Sequence, residues 1–398
     1  MRKKCKVLLG ILVVILLLCG GSRPEQIRTS VEEELENELE QNVQDQLDRI
    51  DSSLFDEFLL SLDENSKSFL GGQSFEEFVQ AVTKGEGMNF EVLVQNLLTM
   101  LGKELLSFLP ALVTIIIVCL LCGILDQSKS GFLGKNTGEI VHFVCYLAIV
   151  LIVVSWLFPI MRMAQQVVQQ MRTLMNAVFP IVLTVMTAAG GNMSGKLFRP
   201  VTAILAGSIC EIISGIVLPL FLVVTVLSVV SHLSHSINLN KLIDFFKSAA
   251  LWINGICFTI FFAFLSVQGI TAATYDGISI RAAKYAIGNS IPIVGGYLKE
   301  GFDLILGSLV IVKNAVGVCG LIGIIAVVAF PVLKIALFGL GLKLTAGIAE
   351  PVGNSKITDF LTSVSKNLSM LTAAILSVAF MFFLALMMLI VSSNAVLG

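Results

Sequence analysis

Residues 105–125 read LLSFLPALVTIIIVCLLCGIL, a run without a single charged side chain. At 1.5 Å per residue, a helix of this length spans about 30 Å, which is the thickness of the hydrocarbon core of a bilayer. The whole chain of 398 residues is 56% hydrophobic and only 14% charged, whereas soluble domains carry about 25% charged residues. Lipid is therefore the expected solvent for much of this chain.

Further apolar runs of comparable length follow the first one. Together they predict an all-α fold, a polytopic transmembrane helix bundle of seven or eight spans. The eighth span is open because its run follows a proline and contains two lysines, which also fits an interfacial helix. The predicted spans are 105–125, 140–160, 174–190, 201–231, 249–268, 304–330 and 370–393, with 331–349 as the possible eighth.

The first 104 residues differ from the rest in charge. Residues 1–22 carry four basic and no acidic groups around the apolar run Val7–Cys19, which is typical of a signal peptide; an uncleaved signal anchor is the alternative. Residues 23–104 carry 19 acidic and 6 basic groups. The sequence therefore predicts an exported acidic helical segment, followed by a transmembrane domain over 105–398.

The signal peptide also predicts an orientation, in which the first span enters the cytoplasm. Loops on the predicted cytoplasmic side carry seven Lys and Arg residues and those on the outer side carry four. This bias agrees with the positive-inside rule. The predicted cytoplasmic loops are 126–139, 191–200 and 269–303, and the predicted outer loops are 161–173 and 232–248.

The acidic segment is predicted to contain a helix over residues 28–64. Ser30 and Glu33 form a capping-box pattern near its start. Apolar residues recur every three or four positions and give one stripe on an acidic surface. Two interpretations are open: a solvated helical domain, or a helix that docks its stripe on a partner helix. The stripe consists of Val31, Leu35, Leu39, Val43, Leu47, Ile50, Leu54 and Phe58.

Two stretches of the transmembrane domain resemble each other and suggest an internal duplication, about 140–248 and 249–350. In each, a span leads to a polar helix and then to an asparagine and a proline. Chance similarity among apolar, Gly-rich segments is the alternative. Proline-interrupted segments in two halves are where secondary transporters place their working sites. The two motifs are Asn176 with Pro180 and Asn289 with Pro292.

Two charged residues lie near the middle of predicted spans, at matched depth in the two halves. An unpaired charge there costs about 3 kcal/mol, so Glu211 and Lys313 are predicted to pair across a shared interior; separate partners are the alternative. In the same span as Lys313, Gly317, Gly320 and Gly323 predict close helix packing, with a pore-lining or hinge role as the alternative.

Three motifs suggest chemistry but lack the context that the chemistry needs. Residues 190–196 have the spacing of a phosphate-binding loop, but a span precedes them and Leu197 stands where Ser or Thr is required. His232 and His235 share a helix face without a carboxylate or cysteine to complete a metal site. The pair Cys119-x-x-Cys122 lies inside an apolar span, which favours a structural role over a redox role. We therefore expect no cofactor, no metal and no enzymatic activity.

Distinctive motifs lie between residues 277 and 351. Residues 277–296 read GISIRAAKYAIGNSIPIVGG, and the shorter motifs VKNAVG, FPVLK and AEP begin at residues 312, 330 and 349. These motifs resemble those of the stage III sporulation protein AE family of endospore-forming bacteria. The layout of signal peptide, acidic segment and many spans is similar as well, and the resemblance covers most of the transmembrane domain.

The resemblance implies a role in endospore formation. The family is expected to supply the polytopic subunit of a trans-envelope channel complex between mother cell and forespore, as conduit, gate or assembly platform. Expected partners are a secretion-type cytoplasmic ATPase, other stage III sporulation membrane proteins, a forespore-side protein and further copies of the chain, but no nucleic acid. The expected location is the mother-cell side, in the outer forespore membrane. Because the family has no established catalytic site, the resemblance implies no catalytic residue in this chain.

A stand-alone secondary transporter with Glu211 and Lys313 in its site is the competing interpretation. It differs from the first in needing no other envelope protein. Both interpretations use the same candidate conduit or packing residues, which are Asn176, Pro180, Glu211, Arg281, Lys284, Asn289, Pro292, Gly295, Gly296, Lys313, Asn314 and Glu350.

Overall fold

Helices are the regular elements of the described chain. The computed structural model describes residues 38, 41–47, 53–62, 67, 75–83, 90–127, 135–189, 196, 207–233, 239–290, 295–351 and 355–394. The signal peptide predicted at 1–22 lies outside these residues. The helices are α1 (Ser53–Ser61), α2 (Phe75–Thr83), α3 (Phe90–Gln127), α4 (Lys135–Ala188), a π-helical turn (Ile213–Val217) that leads into α5 (Leu218–Leu233), α6 (Asn240–Ser290), α7 (Gly295–Ala349) and α8 (Ser355–Asn394).

The described helices contain six segments that are long and apolar enough to cross a membrane, so the predicted seven or eight spans are not recovered. The difference arises where two predicted spans belong to one helix. Spans 140–160 and 174–190 lie in α4, and spans 304–330 and 331–349 lie in α7. The six segments are Val94–Ile124, Phe143–Ala188, Gly207–His232, Asn240–Val267, Gly301–Ala349 and Ser355–Val391.

The predicted outer loop 161–173 is a helical part of α4. Its apolar residues recur at helical spacing, and Ala164, Val168 and Met171 are fully buried in the core. Pro159 lies within α4 without ending it, because a proline in a membrane helix removes one backbone hydrogen bond that neighbouring groups can replace. The 54 residues of α4 span about 80 Å, so α4 extends well beyond one hydrocarbon core.

The centre of the bundle is the antiparallel pair of α7 and α8. A Cβ at Gly317 would lie 2.5 Å from Cγ1 of Ile390, and one at Gly320 would lie 2.9 Å from both Leu386 of α8 and Val178 of α4. The side chains of α4 and α8 thus occupy the space that these glycines leave open. The glycine stripe has the packing role that its spacing predicts.

The helices α5 and α6 pack against α8. Ser377 of α8 donates to Oδ1 of Asn254 in α6 at 2.8 Å. Ser363, further toward the start of α8, donates to Oγ of Ser228 in α5 at 3.3 Å. The hydroxyl of Tyr146 in α4 donates to a backbone carbonyl of α5 at 2.7 Å. Hydroxyl and amide contacts of this kind hold helices together in lipid, where apolar contact alone gives little preference for protein over lipid.

The described parts of the acidic segment pack on the transmembrane domain. Residues 41–47 and 53–61 are helical, and α1 contacts α4 while α2 contacts α7. Two members of the predicted stripe, Leu47 and Phe58, are fully buried and belong to the same core cluster as the long helices. Nε2 of Gln170 in α4 donates to the carbonyl of Ser61 at 3.1 Å. The described part of the stripe is therefore buried within the same chain at Val43, Leu47 and Phe58, whereas Leu54 is exposed.

Candidate functional site: a polar cavity between α3, α4 and α7

A carboxylate and an ammonium group meet between α3 and α7. Oε1 of Glu104 and Nζ of Lys334 are 2.8 Å apart, and their side chains are only 19% and 25% exposed. The ammonium also lies 6.0 Å from the ring centre of Phe108 and 5.7 Å from that of Phe330. Aromatic faces attract cations, and the ion pair is charge-assisted. The aromatic rings and the opposite charge thus stabilise each group of this pair.

The ion pair lies at the edge of a cavity of about 340 Å³. Polar groups from α4 line its other side, where Gln166 and Gln170 face it together with Trp156. Pro159 of α4 and Pro331 of α7 also line the cavity. A proline cannot donate the backbone hydrogen bond of its turn, so both helices are locally weakened where they border the cavity. We refer to this space as the Glu104–Lys334 cavity.

The cavity is next to the acidic segment. Gln170 lines it and is the residue whose side chain donates to the carbonyl of Ser61 at the end of α1. The indole of Trp156 packs against Phe108 and Phe338, with ring centres 5.0 and 6.1 Å away. The cavity thus combines aromatic residues with two glutamines of α4, and Gln170 holds the end of α1 beside it.

A second ion pair corrects the prediction for Glu211. Its Oε1 lies 3.1 Å from an amino group of Arg172, with side chains 67% and 32% exposed. The predicted partner Lys313 is on another helix and does not reach Glu211 in the described part of the chain. The prediction was wrong because equal depth does not determine which way a side chain faces, and α4 places Arg172 beside Glu211.

Lys313 is the most deeply buried charged residue of the described helices. Its side chain is 0% exposed, and Nζ donates to the carbonyl of Ile390 at 2.7 Å and of Leu389 at 3.5 Å. Both carbonyls lie near the end of α8, where the helix dipole favours a cation. Lys313 therefore joins α7 to the end of α8.

The other predicted site residues do not form one cluster. Lys284 and Asp303 form an ion pair at 2.8 Å that joins the end of α6 to the start of α7. Asn176 and Pro180 are exposed on α4, whereas Asn314 is half-buried on α7. Arg281 and Glu350 are exposed, Gly295 and Gly296 begin α7, Asn289 lies in the last turn of α6, and Pro292 is outside the described residues.

Sequence reasoning missed the residues that line the Glu104–Lys334 cavity. Glu104 was counted with the acidic segment, and Lys334 was noted as a reason to doubt the eighth span and as the end of the FPVLK motif. Both lie at the border of an apolar run, which is a usable signal for charges that face a protein interior. Their partnership joins residues 230 positions apart, which no local pattern reveals.

Two of the three motifs that lack the context for chemistry, the cysteine pair and His232, lie among the described residues. Cys119 and Cys122 are both buried. The Nδ1 atom of His232 lies 2.7 Å from the carbonyl of Ser228, its own helix neighbour. The described residues contain no group of three His, Cys, Asp or Glu side chains that could hold a metal ion, and His235 lies outside them.

The outer surface of the bundle is apolar, and its charged contacts lie between helices. Exposed residues include Leu109, Ile117, Trp252 and Ile260, an exterior suited to lipid. Together with six membrane-length helices, these features define a multi-pass α-helical membrane protein that contains an inter-helix polar cavity. Comparison of the sequence with known proteins narrows this class to one family.

The chain belongs to the stage III sporulation protein AE family, whose model matches residues 73–393. It is 29% identical over 301 residues to "Stage III sporulation protein AE" of Bacillus subtilis (strain 168), an alignment that covers 76% of this chain and 75% of the relative. No solved structure matches this chain. The matched region includes α2 through α8, and therefore every residue of the Glu104–Lys334 cavity.

Proposed function

We propose that this protein is the polytopic membrane subunit of a trans-envelope complex that links mother cell and forespore during sporulation. In this role it serves as conduit or gate, and the Glu104–Lys334 cavity is its working part. The observation that carries the proposal is a charged, proline-bordered cavity inside a bundle whose exterior is apolar. Charges at such positions are costly, and a role in passage through the membrane would account for them.

The arrangement of the acidic segment supports a gate. Gln170 lines the cavity and hydrogen-bonds to the end of α1. A partner protein that displaces the acidic segment would therefore also displace a residue that lines the cavity. Leu197 stands where a phosphate-binding loop requires Ser or Thr. We infer that the energy for transport comes from a separate cytoplasmic ATPase, as the family resemblance implies. We place the protein in the outer forespore membrane, with other stage III sporulation proteins as its partners.

The stand-alone transporter is less well supported. That interpretation needs Glu211 and Lys313 in one site, but Glu211 pairs with Arg172 and Lys313 with carbonyls of α8. Flux of small solutes through liposomes that contain only this protein would nevertheless support it.

The proposal is tested in the sporulating host with an affinity-tagged chain. The tagged protein should co-purify with other stage III sporulation membrane proteins, and its removal should reduce heat-resistant spores. The double variant Glu104→Gln/Lys334→Met should still co-purify but should fail to restore spores. The matched control is Lys343→Gln, which removes an exposed charge from the same helix and should restore them.

Two outcomes would contradict the proposal. A chain that purifies alone throughout sporulation is not a subunit of a complex. A double variant that assembles and restores spores fully shows that the cavity is not the working part, and leaves the role of an assembly platform.

A further inference from the structure

Asn367 is a buried amide in the middle of α8. Its side chain is 0% exposed, and neither Oδ1 nor Nδ2 has a hydrogen-bond partner among the described residues. An amide can accept two hydrogen bonds and donate two, and its burial without any of them is costly. A native interior almost always supplies partners to such groups.

Asn367 faces the side of α8 that packs on α5 and α6. Ser363, one turn earlier, bonds to Ser228 of α5, and Ser377, about three turns later, bonds to Asn254 of α6. Positions three, four and seven apart share one face of a helix, so Asn367 lies on the same stripe. The α7 side is different, because Leu368 there packs on Gly339.

The opposite wall of this stripe is also partly polar. The Ser228–Ser363 contact sets the antiparallel register of α5 and α8, which places Asn367 opposite Val224 and Thr225. Thr225 is buried, and its hydroxyl donates to its own helix at 3.0 Å, as that of Ser228 does at 2.8 Å. The Ser228 hydroxyl accepts from Ser363, and the Thr225 hydroxyl keeps its acceptor capacity.

A small cavity lies one turn from Asn367. Its volume is about 20 Å³, and residues of α5, α6 and α8, including Asn254, Leu371 and Ala374, line it. A space above about 10–15 Å³ holds one water molecule when polar partners are present. Asn254 supplies a side-chain amide at this cavity, and Asn367 supplies another beside it on the stripe.

We propose that the seam between α5, α6 and α8 binds buried water, with Asn367 as a ligand. Water is the ligand whose chemistry fits, because it donates to an amide oxygen and accepts from an amide nitrogen. The polar positions run from His232, beside Phe360, to Ser377, which is about 25 Å along α8 at 1.5 Å per residue. The α5–α8 seam is a hydrated site separate from the Glu104–Lys334 cavity, and it does not depend on the proposed function.

The test measures water access in membrane vesicles that contain the full chain. In a background whose native cysteines are replaced by alanine, Asn367→Cys should react with a small, positively charged thiosulfonate reagent. Leu368→Cys is the matched control, since Leu368 is also buried but packs on α7. We expect Asn367→Cys to react on the order of tenfold faster, because a charged reagent enters a hydrated seam and not an apolar contact. Equal rates would overturn the proposal.

A second variant decides the case if Asn367→Cys does not fold. Ser363→Cys lies on the same stripe, is half-buried, and should be labelled faster than Leu368→Cys as well. Thermal unfolding of Asn367→Leu in detergent gives an independent reading. A hydrated amide is stabilising, so its loss should lower the midpoint, whereas an amide without any partner is destabilising and its loss should raise the midpoint. A raised midpoint would show a dry seam and would overturn the proposal.

Discussion

The helices α7 and α6 are both apolar and long enough to cross a membrane, yet α7 lies inside the bundle and α6 lies at its periphery. In α7, 61% of the most apolar stretch is buried inside the protein, against 22% in α6. The difference lies in small and charged residues. Neighbouring helices fill the space beside Gly317, Gly320 and Gly323 of α7, whereas Gly255 of α6 has no described atom within 4 Å of its Cβ position. Lys313 and Lys334 of α7 reach specific partners on other helices. In lipid, hydrophobicity places a helix in the membrane, and small or polar residues decide what it touches.

The largest expected effect is at the glycine stripe. Gly320→Leu would force a side chain into space that Leu386 and Val178 already fill, which should cost about 3 kcal/mol. The same substitution at Gly255 adds a side chain on the open face of α6 and should cost little. The measurement is the thermal midpoint in detergent, followed by size-exclusion chromatography. Equal losses at both positions would show that α6 is as closely packed as α7.

The next effect separates a buried ion pair from an exposed lysine on the same helix. Lys334→Met leaves Glu104 without its cation in a largely buried site, and we expect a loss of about 2 kcal/mol. Adding Glu104→Gln should recover part of this loss, because no uncompensated charge remains. Lys343→Met, which removes an exposed lysine from α7, should change the midpoint little. A double variant as damaged as the sum of the single variants would contradict direct pairing.

Part of this comparison can be predicted from the sequence. Hydropathy and length identify the helices, and the spacing of Gly317, Gly320 and Gly323 identifies a packing face. The apolar stripe of the acidic segment identifies Leu47 and Phe58 as buried residues. Each of these signals is local, since periodicity along one helix determines which side is apolar or small.

The partners of the charged residues cannot be predicted in the same way. Arg172 lies in the polar stretch between two predicted spans, and no local pattern shows that this stretch joins both spans into one helix beside Glu211. The Glu104–Lys334 contact depends on the register between α3 and α7, and the chain between them constrains that register very little. The pairing of Glu211 with Lys313 was inferred from equal depth, but equal depth does not determine the direction in which each side chain points.

A smaller effect concerns the acidic segment. Gln170→Ala removes the hydrogen bond to Ser61 that holds the end of α1 beside the cavity, at a cost of about 1 kcal/mol. We expect faster proteolysis of the segment before α3 with little change in the midpoint of the membrane domain. The control is Gln169→Ala, which changes an exposed neighbour on α4. Equal proteolysis in both variants would show that burial of Phe58 and Leu47 alone holds the segment.

The smallest expected effect distinguishes the two candidate partners of Glu211. Glu211→Arg places two cations side by side with Arg172, and Arg172→Glu in the same chain restores an opposite pair. Because both side chains are partly exposed, the exchange should recover only about 0.5 kcal/mol, measured as a double-mutant cycle on the thermal midpoint. The matched exchange Glu211→Lys/Lys313→Glu should recover nothing, since Lys313 would lose its contacts with α8 and Glu211 faces Arg172. If the second exchange recovered stability and the first did not, Glu211 would contact Lys313 inside the bundle. That result would contradict its peripheral position beside Arg172.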